Sequence, residues 1–326
     1  MVILLLGAAL TFLGGSHPDP ATGGAVSNFL NSYTLMQTAT DASFFAIMAV
    51  GATMVIISGG IDLSVGSVYA LAGVTMALVL RNLGPRPALA TVSLGIAICL
   101  GIGVVSGLLN GLMVVGLGVH PFIITLGTMW ILRGIAFVSS KAESILIPDA
   151  LTAVAKASMG PALYPVPTLA MLAVTAVGAV YLTRTVMGRH VLAIGGNPEA
   201  SRFAGLSLGR IKVGVYVASG LTAGMAAFLG AGYYGSASCV DATGYELYVI
   251  ASAVVGGASL AGGKGSAVNA LLGAILIVLI RQSIRTLHLD QNYEWIIIGT
   301  ATIMAVVLDQ ASSRLAARRL ARRAGS

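Results

Sequence analysis

The chain has 326 residues, of which 57% are hydrophobic and only 9% charged, and its formal net charge is +7. Soluble domains carry roughly 25% charged residues, so this chain has too few to cover a water-facing surface of its size. Its two cysteines, Cys99 and Cys239, lie in or beside apolar segments without metal-type spacing, which argues against a disulfide framework and a metal site alike.

Charge-free runs recur at 42–61, 87–132, 157–183, 213–240, 265–280 and 295–308. A membrane-crossing helix needs about 20 such residues, and their repetition excludes a lone signal peptide. Barrel strands would alternate apolar and polar residues over about 10 positions, and no run does. The 42 glycines suit helices that approach closely in lipid. The fold class is therefore an all-α polytopic membrane protein.

In chain order, residues 1–15 are apolar and short, lack the basic start of a secretory signal, and read as a first helix with further residues expected upstream. Spans follow at 40–60 and 64–80, separated by "SGGIDLSVGS" (58–67). Residues 81–87 form a turn by composition. The next run is too long for one helix, and 116–121 splits it into spans at 88–115 and 121–138. Residues 139–167 are mixed and extramembrane. Further spans fall at 168–183, 213–232, 247–261, 266–283 and 294–309, with a polar stretch at 184–212. That is about ten spans in one transmembrane domain, including broken or re-entrant glycine-rich elements; the glycines make 247–261 the weakest of them.

An even count puts both termini on one side. Lys/Arg excess marks the cytoplasm. The tail, 311–326, holds Arg314, Arg318, Arg319, Arg322 and Arg323 without an acid. The stretch 184–212 holds Arg184, Arg189, Arg202, Arg210 and Lys212 against Glu199 alone. Both are read as cytoplasmic, so the positive balance reflects orientation, with contact to anionic lipid as a further use. Nucleic acid need not be invoked.

Enzyme signatures fail on their spacing. Gly262-Gly-Lys-Gly-Ser266 is not a nucleotide-binding loop, because Ala258 stands at the first glycine position and Gly265 follows the lysine. Around Ser64, Asp62 stands where a nucleophile elbow requires glycine. His17, His120, His190 and His288 are scattered. Ionisable groups within the spans, which a proton- or sodium-driven carrier uses, are few: Asp41 and Glu294 near solvent-accessible span ends, Arg133, and Asp62. Arg133 either snorkels from a helix end or serves inside the bundle. Asp62 is either a polar group on a transport path or a cap on the helix after Leu63, and the free N–H groups that open a helix favour the cap. Either role keeps it away from lipid, since broken backbone at membrane depth survives only inside protein or beside a watery cavity. Gly59-Gly60 and its sequel also align, after an insertion, with Gly256-Gly257 and theirs; an internal repeat and a chance likeness both account for this.

Within 184–212, Asn197-Pro198 is a helix start, Glu199 suits the positive end of the dipole, and Gly205 supplies the stop. The resulting helix of about two turns persists only against the rest of the molecule or a partner. "SGGIDLSVGS" and "GRHVLAIGGNPEASRFAGL", with "AIMAVGATMVI", "HPFIITLGTMWILRGIAF" and "GGASLAGGKGS", resemble the membrane permease subunits of bacterial ABC sugar importers, the ribose/xylose/arabinose permease family. The resemblance covers nearly the whole chain. It implies the ABC importer permease fold, and a cytoplasmic coupling segment comprising Gly188, Gly196, Asn197, Pro198, Glu199, Ala200, Ser201 and Gly205, in which Ser201 departs from the family's Glu-Ala-Ala…Gly pattern. It implies three partners: an ATPase subunit that holds ATP-Mg, a periplasmic sugar-binding protein, and a second permease copy or paralogue. This chain itself would be no enzyme and bind no cofactor, and would reside in the bacterial inner membrane. Ser58, Gly59, Gly60, Asp62, Ser64 and Gly66 would shape a kink beside the path, and Asn110, Thr125, Thr128, Trp130 and Asn269 would offer groups to sugar hydroxyls or join helices. An ATPase-independent channel or carrier for a small neutral solute is the alternative.

Overall fold

The structure, a computed structural model, describes residues 2–18, 24–160, 163–304 and 307. In chain order it holds α1 (Val2–Leu13), β1 (Ser16–Pro18), β2 (Ala25–Ser27), α2 (Ser32–Ile57), α3 (Val65–Leu83), α4 (Ala88–Leu117), α5 (Pro121–Ser140), β3 (Ile145–Leu146), α6 (Asp149–Ala155), α7 (Val166–Arg184), α8 (Val186–Gly196), α9 (Pro198–Phe203), α10 (Leu208–Tyr234), β4 (Ser236–Ala237), α11 (Tyr245–Val255) and α12 (Ala267–Thr286). Residues 293–304 are also helical. The strands make two small antiparallel pairs, β1 with β2 and β3 with β4. The basic tail at 311–326 lies outside the described residues.

Every predicted span carries a helix, but by length the count falls short of ten. Among the described residues seven helices are long and apolar enough to cross a membrane: α2, α3, α4, α5, α7, α10 and α12. The first span and the glycine-riddled one are shorter helices, α1 and α11. The physical reason lies in the glycines: α11 stops at Val255 because the chain turns at Gly256 and Gly257, where Gly257 adopts φ +94°.

α2 is the axis of the bundle. It is hydrophobic all round and buried from Thr40 to Ile57, the signature of a helix enclosed by others. It begins eight residues before the predicted start at 40, since Asn31 caps it by accepting from the Thr34 amide at 2.8 Å. Its polar groups include a paired set: Gln37 donates to Asp41 at 3.0 Å, and Asp41 pairs with Arg285 of α12 at 3.1 Å. Asp41 is thus buried and paired, not solvated at a span end. Glu294 is treated likewise, 2.8 Å from Arg281 and accepting from the Tyr248 hydroxyl at 2.8 Å.

The closest helix pair is α4 against α10, running antiparallel. A Cβ added at Gly107 would overlap the Tyr216 carbonyl and approach the Val217 Cα to 2.8 Å; one at Gly111 would lie 2.8 Å from the Val213 Cα. Gly103 meets Gly220, and Gly224 meets Cys99, in the same way. Glycines spaced four apart on α4 bring the two backbones into contact, which in lipid supplies the dispersion and packing energy that no hydrophobic drive provides.

Candidate functional site

Two helices end inside the bundle, and both use the same device. At the end of α2, the Gly59 amide donates to the Ile56 carbonyl at 2.9 Å and the Gly60 amide to Val55 at 3.0 Å, with Gly59 at φ +79°. At the end of α11, the Gly257 amide donates to Val254 at 2.8 Å and the Ala258 amide to Ala253 at 2.9 Å. These paired bonds, six-to-one and five-to-two, define the Schellman motif, whose left-handed residue is most often glycine. The sequence alignment of Gly59 with Gly256 is therefore one residue out of step; the structural equivalents are Gly59 and Gly257.

Beyond Gly60 the backbone is unwound to Ser64, and side chains from three other helices satisfy it. The Ile61 carbonyl accepts from the Tyr216 hydroxyl of α10 at 3.1 Å and from Thr125 of α5 at 3.3 Å. Asp62 is 3% exposed. One carboxylate oxygen accepts from the Ser64 amide at 3.0 Å and the Ser64 hydroxyl at 2.7 Å; the other accepts from the Ser219 hydroxyl of α10 at 2.8 Å. The Asn110 amide of α4 donates to Ser64 at 2.8 Å. Asp62 therefore closes a local turn onto Ser64 just before α3. Contrary to the cap expectation, no side chain among the described residues accepts the first amides of α3 itself, and the other carboxylate oxygen ties the break to α10. Unwound backbone buried inside protein needs such partners.

The predicted path residues thus divide. Asp62, Ser64, Asn110 and Thr125 converge, and Thr128 donates to the Thr125 carbonyl at 3.2 Å. Gly60 is small enough for the Tyr216 hydroxyl to pass, at 2.8 Å from an added Cβ. Ser58 bonds back to Val55 at 2.7 Å. Gly66 faces the Ala242 carbonyl and Glu246. Trp130 is 67% exposed on α5, and Asn269 is exposed at the start of α12; neither joins the cluster. Arg133 does not snorkel: it is buried and donates to the carbonyls of Cys239 at 2.7 Å, Asp241 at 2.6 Å and Ala242 at 3.4 Å. Those bonds hold the loop that leads into α11. Tyr216 and Ser219 lay in an otherwise ordinary apolar run, and only their spacing of three on one helix face hinted at a shared role.

The stretch 184–212 folds as α8, α9 and the start of α10. Thr185 caps α8 by accepting from the Gly188 amide at 3.0 Å, and Gly188 is buried against the last turn of α7, with the Leu182 Cα 2.6 Å from an added Cβ. Asn197 closes α8 and caps α9, accepting from the Ala200 amide at 2.9 Å. α9 ends in a third Schellman motif: the Gly205 amide donates to Arg202 at 3.0 Å and the Leu206 amide to Ser201 at 3.0 Å, with Gly205 at φ +82°. Residues 196–205 are exposed except Ser201, which is 6% exposed and turned to the body of the protein. Phe203 is 92% exposed. A large aromatic ring is thus left uncovered on a short helix, and residue-type reasoning alone passed over it.

The family described as "Branched-chain amino acid transport system / permease component" matches residues 34–307. The chain belongs to this permease family. Among its relatives, the D-allose transport system permease protein AlsC of Escherichia coli is 34% identical over 288 residues, covering 88% of this chain and 86% of the relative. The ribose import permease protein RbsC of Haemophilus influenzae is 36% identical over 288 residues, covering 87% and 85%. The fructose import permease protein FrcC of Rhizobium meliloti is 31% identical over 300 residues, covering 89% and 81%. As a member of a permease family the chain is a multi-pass membrane transport component and not itself an enzyme, and the all-α architecture agrees with that membership.

Proposed function

We propose that this permease is the transmembrane subunit of an ATP-binding-cassette importer, forming the path for a monosaccharide or related polyol delivered by a binding protein. The observation that carries the reading is the match, over most of both chains, to permeases named for allose, ribose and fructose. In this reading it lies in the bacterial inner membrane with α8, α9 and the tail in the cytoplasm, since those segments hold the Lys/Arg excess. A second permease copy or paralogue completes the pore, and the periplasmic binding protein meets the opposite face. ATP with its Mg²⁺ is held by a separate ATPase subunit, into which α9 docks through Phe203, Glu199 and the neighbouring backbone as a helix in a groove. The cluster about Asp62 gives the break between α2 and α3 a fixed shape beside the path, while Trp130 and Asn269 are free to face sugar or the second copy.

Phe203→Ala tests the docking. Its ring contributes nothing to the fold, so the variant reaches the membrane normally. Loss of a central aromatic contact of about 2 kcal/mol weakens association with the ATPase roughly 30-fold, and ATP-driven uptake in proteoliposomes falls with it. Uptake by the purified chain without any ATPase overturns the importer reading in favour of a channel or carrier.

A further inference from the structure

Resting on the importer reading, one backbone junction stands out as the joint between the docking segment and the membrane. At the last turn of α8, Gly195 is buried against the carbonyl of Ile57, the final residue of α2. A Cβ added there would overlap that oxygen and come within 2.6 Å of the Gly263 amide. That same amide donates to the Ile57 carbonyl at 2.8 Å. Gly263 belongs to the turn between α11 and α12, and a Cβ on it would lie 2.6 Å from the Gly196 Cα. A Cβ on Gly262 would meet the Gly195 carbonyl at 2.7 Å. Three chain segments thus touch main chain to main chain: the end of α8, two residues before the cap of α9, and the two interrupted elements α2–α3 and α11–α12. No side chain intervenes whose rotamers would absorb a displacement.

We propose that Gly195 is a positioning residue for transport. It seats the docking segment on both interrupted helices, so that a push on α9 by the ATPase moves the α2 and α11 ends together. The glycine-rich turn at 262–265, which has the look of a phosphate loop in the sequence, is here the socket of that joint. Its glycines are required by close backbone approach and by positive φ at Gly262 (+87°) and Gly263 (+74°). A Cβ added at neighbouring Gly196 would meet only an ordinary contact, the Gly263 Cα at 3.9 Å. The two adjacent glycines therefore differ in this one respect.

The test uses the assembled importer with its ATPase and binding protein in proteoliposomes. Gly195→Ala is expected to assemble and to keep basal ATP hydrolysis, while stimulation by sugar-loaded binding protein falls at least about fivefold, the low end of a coupling between sites, and uptake falls in parallel. Gly196→Ala is expected to behave as the unsubstituted protein. A merely structural defect would lower basal hydrolysis and assembly as well. Gly195→Ala with full stimulation and uptake overturns the proposal. Should that variant fail to assemble, hydrogen exchange in the unsubstituted complex decides. The Gly263 amide stays protected with and without a non-hydrolysed ATP analogue if the joint moves as one piece, and exchange of it in either state overturns the idea. Absence of any stimulation in the unsubstituted complex would instead sink the importer reading itself.

Discussion

Replacing Asp62 separates its two readings, a structural tie and a charge needed on the path. Asp62→Ala leaves the Ser64 amide, the Ser64 hydroxyl and the Ser219 hydroxyl without their acceptor. Hydrogen bonds between helices in membranes contribute about 0.6 kcal/mol on average and up to about 1.7. Applied to all three bonds, of which only the one to Ser219 joins two helices, that scale gives about 2–5 kcal/mol, and since the two hydroxyls are free to swing toward helix carbonyls, the lower half of that range is expected. A loss of about 2–3 kcal/mol raises the unfolded fraction by roughly 30- to 150-fold. Asp62→Asn behaves differently. Its carbonyl oxygen still accepts both Ser64 bonds, and its amide donates to a rotated Ser219 hydroxyl. It also removes a buried charge that has no cation beside it among these bonds, so the net change stays within about 1 kcal/mol. The assay is the fraction of monodisperse protein surviving a heating series, read by size-exclusion chromatography, with uptake measured on the same preparations. The expected order of heat stability is unsubstituted, then Asp62→Asn, then Ser219→Ala, then Asp62→Ala, with uptake retained by Asp62→Asn. Equal stability of Asp62→Ala and the unsubstituted protein, or a loss of uptake in a stable Asp62→Asn, refutes the structural tie.

The α4–α10 contact predicts that Gly107→Val, which drives a branched side chain into the Tyr216 carbonyl, costs more than about 3 kcal/mol by overpacking, seen as loss of folded protein in detergent. Gly101→Ala on the same helix, with nothing within 4 Å of an added Cβ, is expected to leave it unchanged. Arg133→Ala removes the donor from the carbonyls of Cys239, Asp241 and Ala242, so the loop before α11 opens. Cys239, fully buried and unpaired in a disulfide, should then react with a maleimide at least about tenfold faster, as local opening becomes easier by about 1.4 kcal/mol. Unchanged labelling would mean that the loop holds its shape without the arginine.

Much of this was legible in the residues because lipid leaves a chain few options. Long charge-free runs must be helices, and each predicted span does carry one. The start of α2 was misjudged by eight residues because Thr34, Gln37 and Thr38 read as polar. The two threonines are satisfied by nearby carbonyls, and Gln37, like Asp41 a turn later, finds a partner far away in the chain, Tyr233 and Arg285 respectively. Arg133 was ambiguous for the same reason: three carbonyls about a hundred residues away decide its place. The spacing of Gly103, Gly107 and Gly111 announced a close helix contact, but nothing in it named α10 as the neighbour. The short helix α9 was legible from its cap, its charge and its stop signal, all of which are local. Phe203 escaped because an aromatic residue in a short amphipathic helix normally faces inward, and only its exposure shows that this one does not.

The choice between Gly195 and Gly196 illustrates the boundary most sharply. In the sequence they are interchangeable members of one Gly-Gly pair, and Gly196 stands nearer the docking helix. Packing distinguishes them, since a Cβ on Gly195 would overlap the Ile57 carbonyl whereas one on Gly196 would meet the Gly263 Cα only at 3.9 Å. The same physics explains why the bundle is interrupted where it is. A helix that ends inside a membrane protein leaves carbonyls to be satisfied, and the Schellman closures of α2 and α11 satisfy them with backbone alone. The end of α8 seats its own bare main chain against the last residue of α2 and against the glycine turn that follows α11. Adding side chains at this meeting point would force the segments apart; under the proposal above, α9 would then move without moving the spans. A permease whose cargo is an uncharged sugar needs few ionisable groups at depth, and its glycines are then free to serve motion in place of charge.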